Sequence, residues 1–278
     1  MGSQTRPDAI ADAYSEHAAE YDTEANQQSC WGKLAKVALD TVSIGAHRRC
    51  VVDVGCGTGT ALVQLAARLR PPIRLIGIEP APGMRAIACQ RTSTLPNVNI
   101  LEGRFEALPL PDQSVDHLYS IHAFHWVREI ERAVGELRRV LARNADMDLF
   151  FVAPGTGKEF ITITSPIVRR HLGLARWLES ARLRAHLTPE KAREVFEKGL
   201  PEHHVQVRES VETHRDTLDG HLAWWVRLEG HLGDLEPAAR RDFFGEIRQA
   251  LASLQTDAGI PYTTHMLHVS TRRSALEI

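Results

Sequence analysis

The sequence predicts an α/β fold: a mostly parallel sheet covered by helices on both faces, with helical insertions late in the chain. Three observations predict it. Short apolar runs alternate five times with amphipathic helical stretches between residues 50 and 153. A glycine-rich turn, VVDVGCGTG (51–59), closes the first apolar run and opens a helix. After the alternation stops, two strand-like stretches, 204–213 and 264–273, flank a further helical segment.

The elements follow in order. Residues 8–46 carry helical periodicity, with Trp31, Leu34, Ala35, Ala38, Leu39 and Val42 on one face. CVVDVG (50–55) is apolar throughout, as suits a parallel strand buried on both sides. TALVQLAARLR (60–70) sets Ala61, Leu62, Leu65, Ala66 and Leu69 on a helix face and is stopped by Pro71-Pro72. IRLIGIE (73–79) is the second strand, and APGMRAIACQR (81–91) a helix with proline in its first turn. VNIL (98–101) and SVDHLYSI (114–121) are the third and fourth strands. EIERAVGELRRVLA (129–142) is a helix turning Ile130, Val134, Leu137 and Leu141 inward. DLFFVA (148–153) is the fifth strand, closed by Pro154-Gly155. Residues 156–200 and 218–256 read as mainly helical, and in the last strand Met266, His268 and Ser270 alternate with Leu267, Val269 and Thr271. Right-handed crossovers make the five alternating strands parallel. The two late strands suit an antiparallel addition at the sheet edge.

Bulk properties narrow the function classes. A length of 278 residues suits one domain with a lid or subdomain, and a net charge of −2 gives no global pull toward nucleic acid. No uncharged run approaches the ~20 apolar residues of a membrane span. The first stretch is polar and acidic, so no secretory leader is expected. Cys30, Cys50, Cys56 and Cys89 form no CxxC pair and no metal-ligand spacing, so a reduced cytoplasmic protein without a structural metal is expected.

A strand ending in Gly-x-Gly-x-Gly and opening a helix offers backbone N–H groups and a helix N-terminus to a ligand at the sheet edge. Glu79, at the end of the second strand, is placed to accept hydrogen bonds from both hydroxyls of a ribose. Two readings follow. Nicotinamide-binding folds prefer Gly-x-Gly-x-x-Gly, and an NAD-dependent oxidoreductase is the first. The spacing found here, with Asp53 inside the strand just before the loop, favours a ligand carrying an amino group, hence S-adenosylmethionine.

VVDVGCGTG, GIEPAPGM (77–84), LEGRFEALPLPDQSVDHLYSIHAFHWV (101–127) and ELRRVLA (136–142) together resemble the class I S-adenosylmethionine-dependent methyltransferases, in the small-molecule branch that includes trans-aconitate methyltransferase-like proteins. The resemblance covers residues 10–155 and is topological beyond them. It implies a Rossmann-like, mostly parallel seven-stranded sheet with a reversed final hairpin. It also implies one continuous domain in three parts: an N-terminal helical lid (1–46), a cofactor-binding core (47–155) and a helical cap with the last strands (156–278). The family's roles carried over make Gly55, Cys56, Gly57 and Gly59 line the methionine and ribose, with Asp53 near the amino group. Glu79 holds the ribose, and Pro80, Met84, Arg104 and Phe105 flank the adenine. Ser120 and Ile121 close over the methionine. Glu102 and Arg104-Phe105 stand where relatives often have Gly-Asp-Ala, a departure on the adenine side.

Methyl transfer asks a protein to orient an acceptor and exclude water, and adds a base only when the acceptor loses a proton. His122 and His125, in SIHAFHWV after the fourth strand, are the base candidates or else packing residues. Phe124, Trp126 and Trp224-Trp225 are faces for an apolar or cationic acceptor, or core. In DAYSEHAAEYD (12–22), Tyr14 and Tyr21 are the contacts of a flap, Tyr21 also a candidate for the chemistry. His265 and His268 fall on opposite faces of the last strand, so at most one faces a site. The Asn/Asp-Pro-Pro-aromatic motif of nucleobase amino-methyltransferases is absent, so a small organic acceptor is expected: O-methylation of a hydroxyl or carboxylate, or C-methylation of a prenyl or alkene carbon in secondary metabolism. A non-catalytic S-adenosylmethionine-binding protein is the other alternative. A projecting N-terminal helix would allow a homo-oligomer.

Overall fold

Strand β1 (Cys50–Val54) is buried at every position and lies inside a seven-stranded sheet in the computed structural model, which describes residues 9–69, 73–183, 186–229 and 235–272. Its partners are β2 (Arg74–Ile78), β3 (Val98–Leu101), β4 (Val115–Ile121), β5 (Leu141–Val152), β6 (His204–Asp216) and β7 (Ile260–Arg272). The order is β3-β2-β1-β4-β5-β7-β6. The first five strands pair in parallel, and β7 runs antiparallel to both β5 and β6. The chain reverses its direction of winding between β1 and β4, so the loops leaving β1, β2 and β4 meet at one edge.

Period-two alternation gives each sheet face its own core. Val52 and Val54 join Ile76, Ile78, Leu118 and Leu137 on one side. Val51 joins Leu39, Leu62, Leu65 and Tyr119 on the other. The covering helices are α3 (Cys30–Thr41), α4 (Thr60–Arg68), α5 (Pro82–Thr92), α6 (Ile130–Val140) and α8 (Pro189–Gly199). A third core gathers Phe160, Trp224, Trp225, Phe243, Ile247 and Tyr262 from α7 (Lys158–Leu183), α9 (Leu218–Glu229), α10 (Pro237–Ala252) and β7. Asp148, fully buried on β5, accepts from His268 at 2.8 Å and Arg272 at 3.0 Å on β7. Burial alone would raise its pKa, but His117, His268 and Arg272 hold it well below the usual range.

Several boundaries differ from the sequence reading. The N-terminal stretch is not one helix but α1 (Ala9–Glu16), a 3-10 turn at Ala18–Asp22, α2 (Glu24–Gln28) and α3. Thr23 and Ser29 restart the helix by accepting from Asn26 N and Gly32 N. β5 begins at Leu141 rather than 148, because α6 ends at Val140 and the polar Arg-Asn-Ala-Asp stretch stays extended. β6 and β7 are longer than expected, and α4 ends at Arg68; the proline stop at 71–72 and Arg273 lie outside the described residues. Among the described residues no helix is long and apolar enough to cross a membrane.

Candidate active site

The glycine loop is held by β2. Gly55 N and Cys56 N both donate to the Ile78 carbonyl, at 2.7 and 3.1 Å, which bends the chain off β1 and leaves the following amides free to turn. Gly57 then takes a positive φ (+56°), and a Cβ there would meet nothing within 4 Å; the loop opens onto a cavity at that point. Gly59 is different. Its φ is +80°, but a Cβ would lie 3.2 Å from the Ala88 Cβ, so this glycine packs the loop on α5 and does not line the cavity. Its expected ligand contact is corrected to a packing role.

Glu79 directly follows β2 and is only 6% exposed. Its two carboxylate oxygens accept from Gly57 N and Ala81 N, each at 2.9 Å, so one side chain fixes both the glycine loop and the start of α5. Burial raises its pKa, against the pull of those two amides. Asp53, 3% exposed, lines the same cavity. Burial pushes it up to about 7, with the Tyr119 phenol working against the shift and the Glu79 charge adding to it. The Glu79 charge adds to the rise at Asp53, so a cation beside Asp53 would be favoured, and each acid keeps lone pairs to accept further hydrogen bonds.

The cavity holds about 930 Å³. Pro80, Met84, Arg104 and Phe105 line it beside Glu79, and Tyr14 and Tyr21 cover that end. The N-terminal segment reaches it by docking on α5: Gly83 N donates to Ser15 Oγ at 3.1 Å, and a Cβ at Gly83 would strike the Ser15 backbone. The Tyr14 ring lies 5.2 Å from Tyr21 and 6.2 Å from Trp126.

At the end of β4, Ile121, His122, His125 and Trp126 line the cavity. His122 is a non-glycine residue at φ +59°, a strained position of the kind found where a side chain must be aimed. Its Nε2 is shielded from water and has no hydrogen-bond partner, and burial pulls its pKa down to about 4. His125 is lowered well below its ordinary value by burial and by His186 and His122. Both imidazoles are therefore neutral at neutral pH.

Two residues of this segment do not reach the cavity. Ser120 is fully buried and donates to the Val54 carbonyl at 2.6 Å, because neighbours on a strand face opposite ways and Ile121 takes the cavity side. Phe124 is 2% exposed and packs against Phe105, Phe151 and Phe196, since the 3-10 turn Phe124–Trp126 turns its first ring into the core. Its expected acceptor contact is corrected to core packing. His265 and His268 pair with Glu209 and Asp148, and neither lines the cavity.

Trp224 and Trp225 do line it, with Phe160, Thr164 and Tyr262 from the late helices and β7. Trp31, read from sequence as an apolar helix position, joins them: its ring stands edge-on to His122, Trp224 and Tyr262 at 5.5 to 6.0 Å. Its only signal was a large polar-tipped aromatic on a face of otherwise smaller side chains. Phe160, Thr164 and Tyr262 carried none.

Residues 52–147 match the family described as methyltransferase domain. A malonyl-[acyl-carrier protein] O-methyltransferase of Coxiella burnetii is 34% identical over 110 residues, 40% of this chain and 36% of its own. An uncharacterized methyltransferase of Mycobacterium bovis is 36% identical over 104 residues, 37% of this chain and 40% of its own. The chain spans about a quarter to half the length of the first curated relatives it matches. Among solved structures, the YcgJ protein of Bacillus subtilis superposes with a TM-score of 0.58 at 15% identity, covering 88% of this chain and 100% of its own. Phosphoethanolamine N-methyltransferase 2 of Haemonchus contortus gives a TM-score of 0.58 at 13% identity, covering 96% of this chain and 61% of its own. The solved structures share the fold of this chain, and residues 52–147 match a methyltransferase domain.

Proposed function

We propose, taking as premise the methyltransferase domain at residues 52–147, that the chain moves the methyl group of S-adenosylmethionine to the hydroxyl of a small, mostly apolar organic molecule. The observation that carries this is the pair of buried acids, Asp53 and Glu79, beside a glycine that leaves open space in a cavity shared with His122. The residues suit the cofactor: Glu79 for the ribose diol, Asp53 for the ammonium, Gly57 for close approach, and Met84 and Phe105 for the adenine. When bound, S-adenosylmethionine supplies an electrophilic methyl on a sulfonium.

The protein's own part is orientation and proton handling. The N-terminal segment through Tyr14 and Tyr21 keeps water from one end, and the late helices through Trp224 and Trp225 cover the other. We read these as lid and cap. His122 would be the base: its Nε2 would take the proton that the acceptor hydroxyl gives up as its oxygen is methylated. Burial keeps His122 unprotonated across the neutral range, and makes it a weaker base than an exposed imidazole. His125 and Trp126 wall the same end.

Calorimetric titration with S-adenosylmethionine, S-adenosylhomocysteine and NAD tests the reading. Micromolar binding of the first two and none of the third is expected. NAD binding in place of the other two would overturn it.

A further inference from the structure

The sheet has two edges, and they differ. β3 ends it on one side with only four residues, short enough to offer little to another chain. β6 ends it on the other side with thirteen, and among the described residues β7 is its only strand partner. Proteins commonly blunt a long edge with proline, lysine or a bulge. β6 contains no proline and no lysine, and its register with β7 runs unbroken from His204 to Asp216. Residues 208–213 are exposed at every position and so on both faces, Val211 at 57%. β5 pairs with β7 only from Met266 to Thr271, so residues 212–216 and 260–264 form a ribbon of two strands. Such a ribbon is marginal in water until a further strand joins it.

The side chains of β6 say which partner fits. Arg208 and Glu212 carry opposite charges on one face, equally spaced about Ser210, the midpoint of the strand. Within the chain the Arg208 guanidinium meets Gln206 at 3.4 Å and the Glu212 carboxylate meets His214 at 3.9 Å, both loose contacts. Glu209 is turned to His265 on β7, 2.9 Å away. In an antiparallel pair, residues that point their backbone groups outward oppose one another. A two-fold axis between two copies of β6 therefore passes through a residue position and not between two. Centred on Arg208, Glu209 or Glu212, the axis sets that charge against its own copy. Centred on Val211, it sets Arg208 against His214 and Glu212 against Ser210. Centred on Ser210, it opposes Arg208 to Glu212 and His204 to Asp216 on both sides of the axis, and all thirteen residues pair.

We propose that β6 is a self-pairing edge: two copies of this chain join antiparallel about Ser210 and continue the seven-stranded sheet from one subunit into the other. The two Arg208–Glu212 pairs select this register and this partner. The dimer then forms through β6 and not through the N-terminal helix, which docks on α5 of its own chain. None of this depends on the chemistry of the cavity, which β6 does not line.

Sedimentation of the full chain at rising concentration is the first test, with a dimer expected. Arg208→Glu and Glu212→Arg each replace two attractive pairs by two repulsive ones, and each is expected to weaken the dimer about 10-fold or more. The double variant, and an equimolar mixture of the two single variants, regain complementary pairs and are expected to dimerise as the unaltered chain does. Ser210→Cys, combined with Cys89→Ser because Cys89 is exposed, is expected to cross-link to its own copy through a short bis-maleimide. Thr213→Cys in the same background, opposed to Val207, is expected not to. This cross-linking comparison stands even where a charge variant fails to fold. A chain that stays monomeric at every concentration overturns the proposal. So does a dimer that neither single reversal weakens, a mixture of the two reversals that stays monomeric, or cross-linking at residue 213 as efficient as at 210.

Discussion

The two ends of the cavity are built from opposite materials. The glycine-loop end is backbone and charge: Gly57 supplies bare chain, while Glu79 and Asp53 supply buried acids whose pKa values burial raises. The late-helix end is ring and edge: Phe160, Trp224 and Tyr262 with Trp31, without a charged side chain contributed after Val152 among the described residues. On the proposed function, a cationic, polar ligand and an apolar one would be told apart inside one space that His122 also lines. The difference teaches that the proposed cofactor end is local in the chain. The proposed acceptor end is assembled from elements more than a hundred residues apart, Trp31 with Phe160 and Tyr262.

The sharpest way to break this comparison is at the junction. His122→Asn is expected to lower kcat by ~10²–10⁴ while leaving S-adenosylhomocysteine affinity within about twofold. Equal losses in turnover and cofactor affinity would make His122 a structural residue of the glycine-loop end. Because burial holds its pKa near about 4, the rate of the unaltered enzyme should show no loss of this base as pH falls through 6.5. A rate that halves there on protonation of His122, followed by its NMR titration, would contradict the placement.

Glu79→Ala comes next. Loss of hydrogen bonds from a charged group is expected to weaken S-adenosylmethionine by about 1.5–3 kcal/mol in titration, with loosening of the loop added because Gly57 N and Ala81 N lose their acceptor. Unchanged affinity would remove the ribose assignment.

The two glycines sharpen the comparison further. Gly57→Ala and Gly59→Ala both force alanine into the left-handed region, at about 1–2 kcal/mol of stability each. Only the first places its methyl in open space facing the ligand, while the second presses it on Ala88. Gly57→Ala should therefore lose cofactor affinity with the smaller drop in Tm, and Gly59→Ala the reverse. Identical behaviour would erase the distinction.

The smallest effect is a proton. Asp53 has a folded pKa of about 7 against an ordinary 3.8, so the ligand-free fold binds a proton more readily than the unfolded chain. Its contribution to stability is fully present below pH 4 and is lost as pH rises through about 7. The ligand-free Tm should fall over that window, and Asp53→Asn should flatten the fall. A cationic cofactor prefers the ionised acid, so its binding should tighten with pH and release protons, measurable by titration in two buffers of different ionisation enthalpy. A Tm that rises over the window would reverse the sign.

Much of the fold was legible because each element carried its own period. CVVDVG, IRLIG and VNIL became strands within a residue or two of their apolar runs. The glycine-loop end was legible for a similar reason: its residues sit at fixed offsets from two strand ends, and those strands are neighbours in the sheet. The misplacements came where a rule of direction was overlooked. Ser120 and Ile121 cannot both face one side of β4, and within Phe124–Trp126 a 3-10 turn sends the first ring to the core. The acceptor end was illegible for a physical reason. Trp31, Phe160 and Tyr262 have the same apolar character as their core neighbours, and only tertiary packing separates a ring that lines a cavity from one that fills it.

The most direct test is a crystal structure with S-adenosylhomocysteine bound. The ribose hydroxyls are expected within hydrogen-bond distance of Glu79 and the amino group beside Asp53. A nucleoside seated among the late-helix rings, or a ligand that leaves both acids without a new partner, would contradict it.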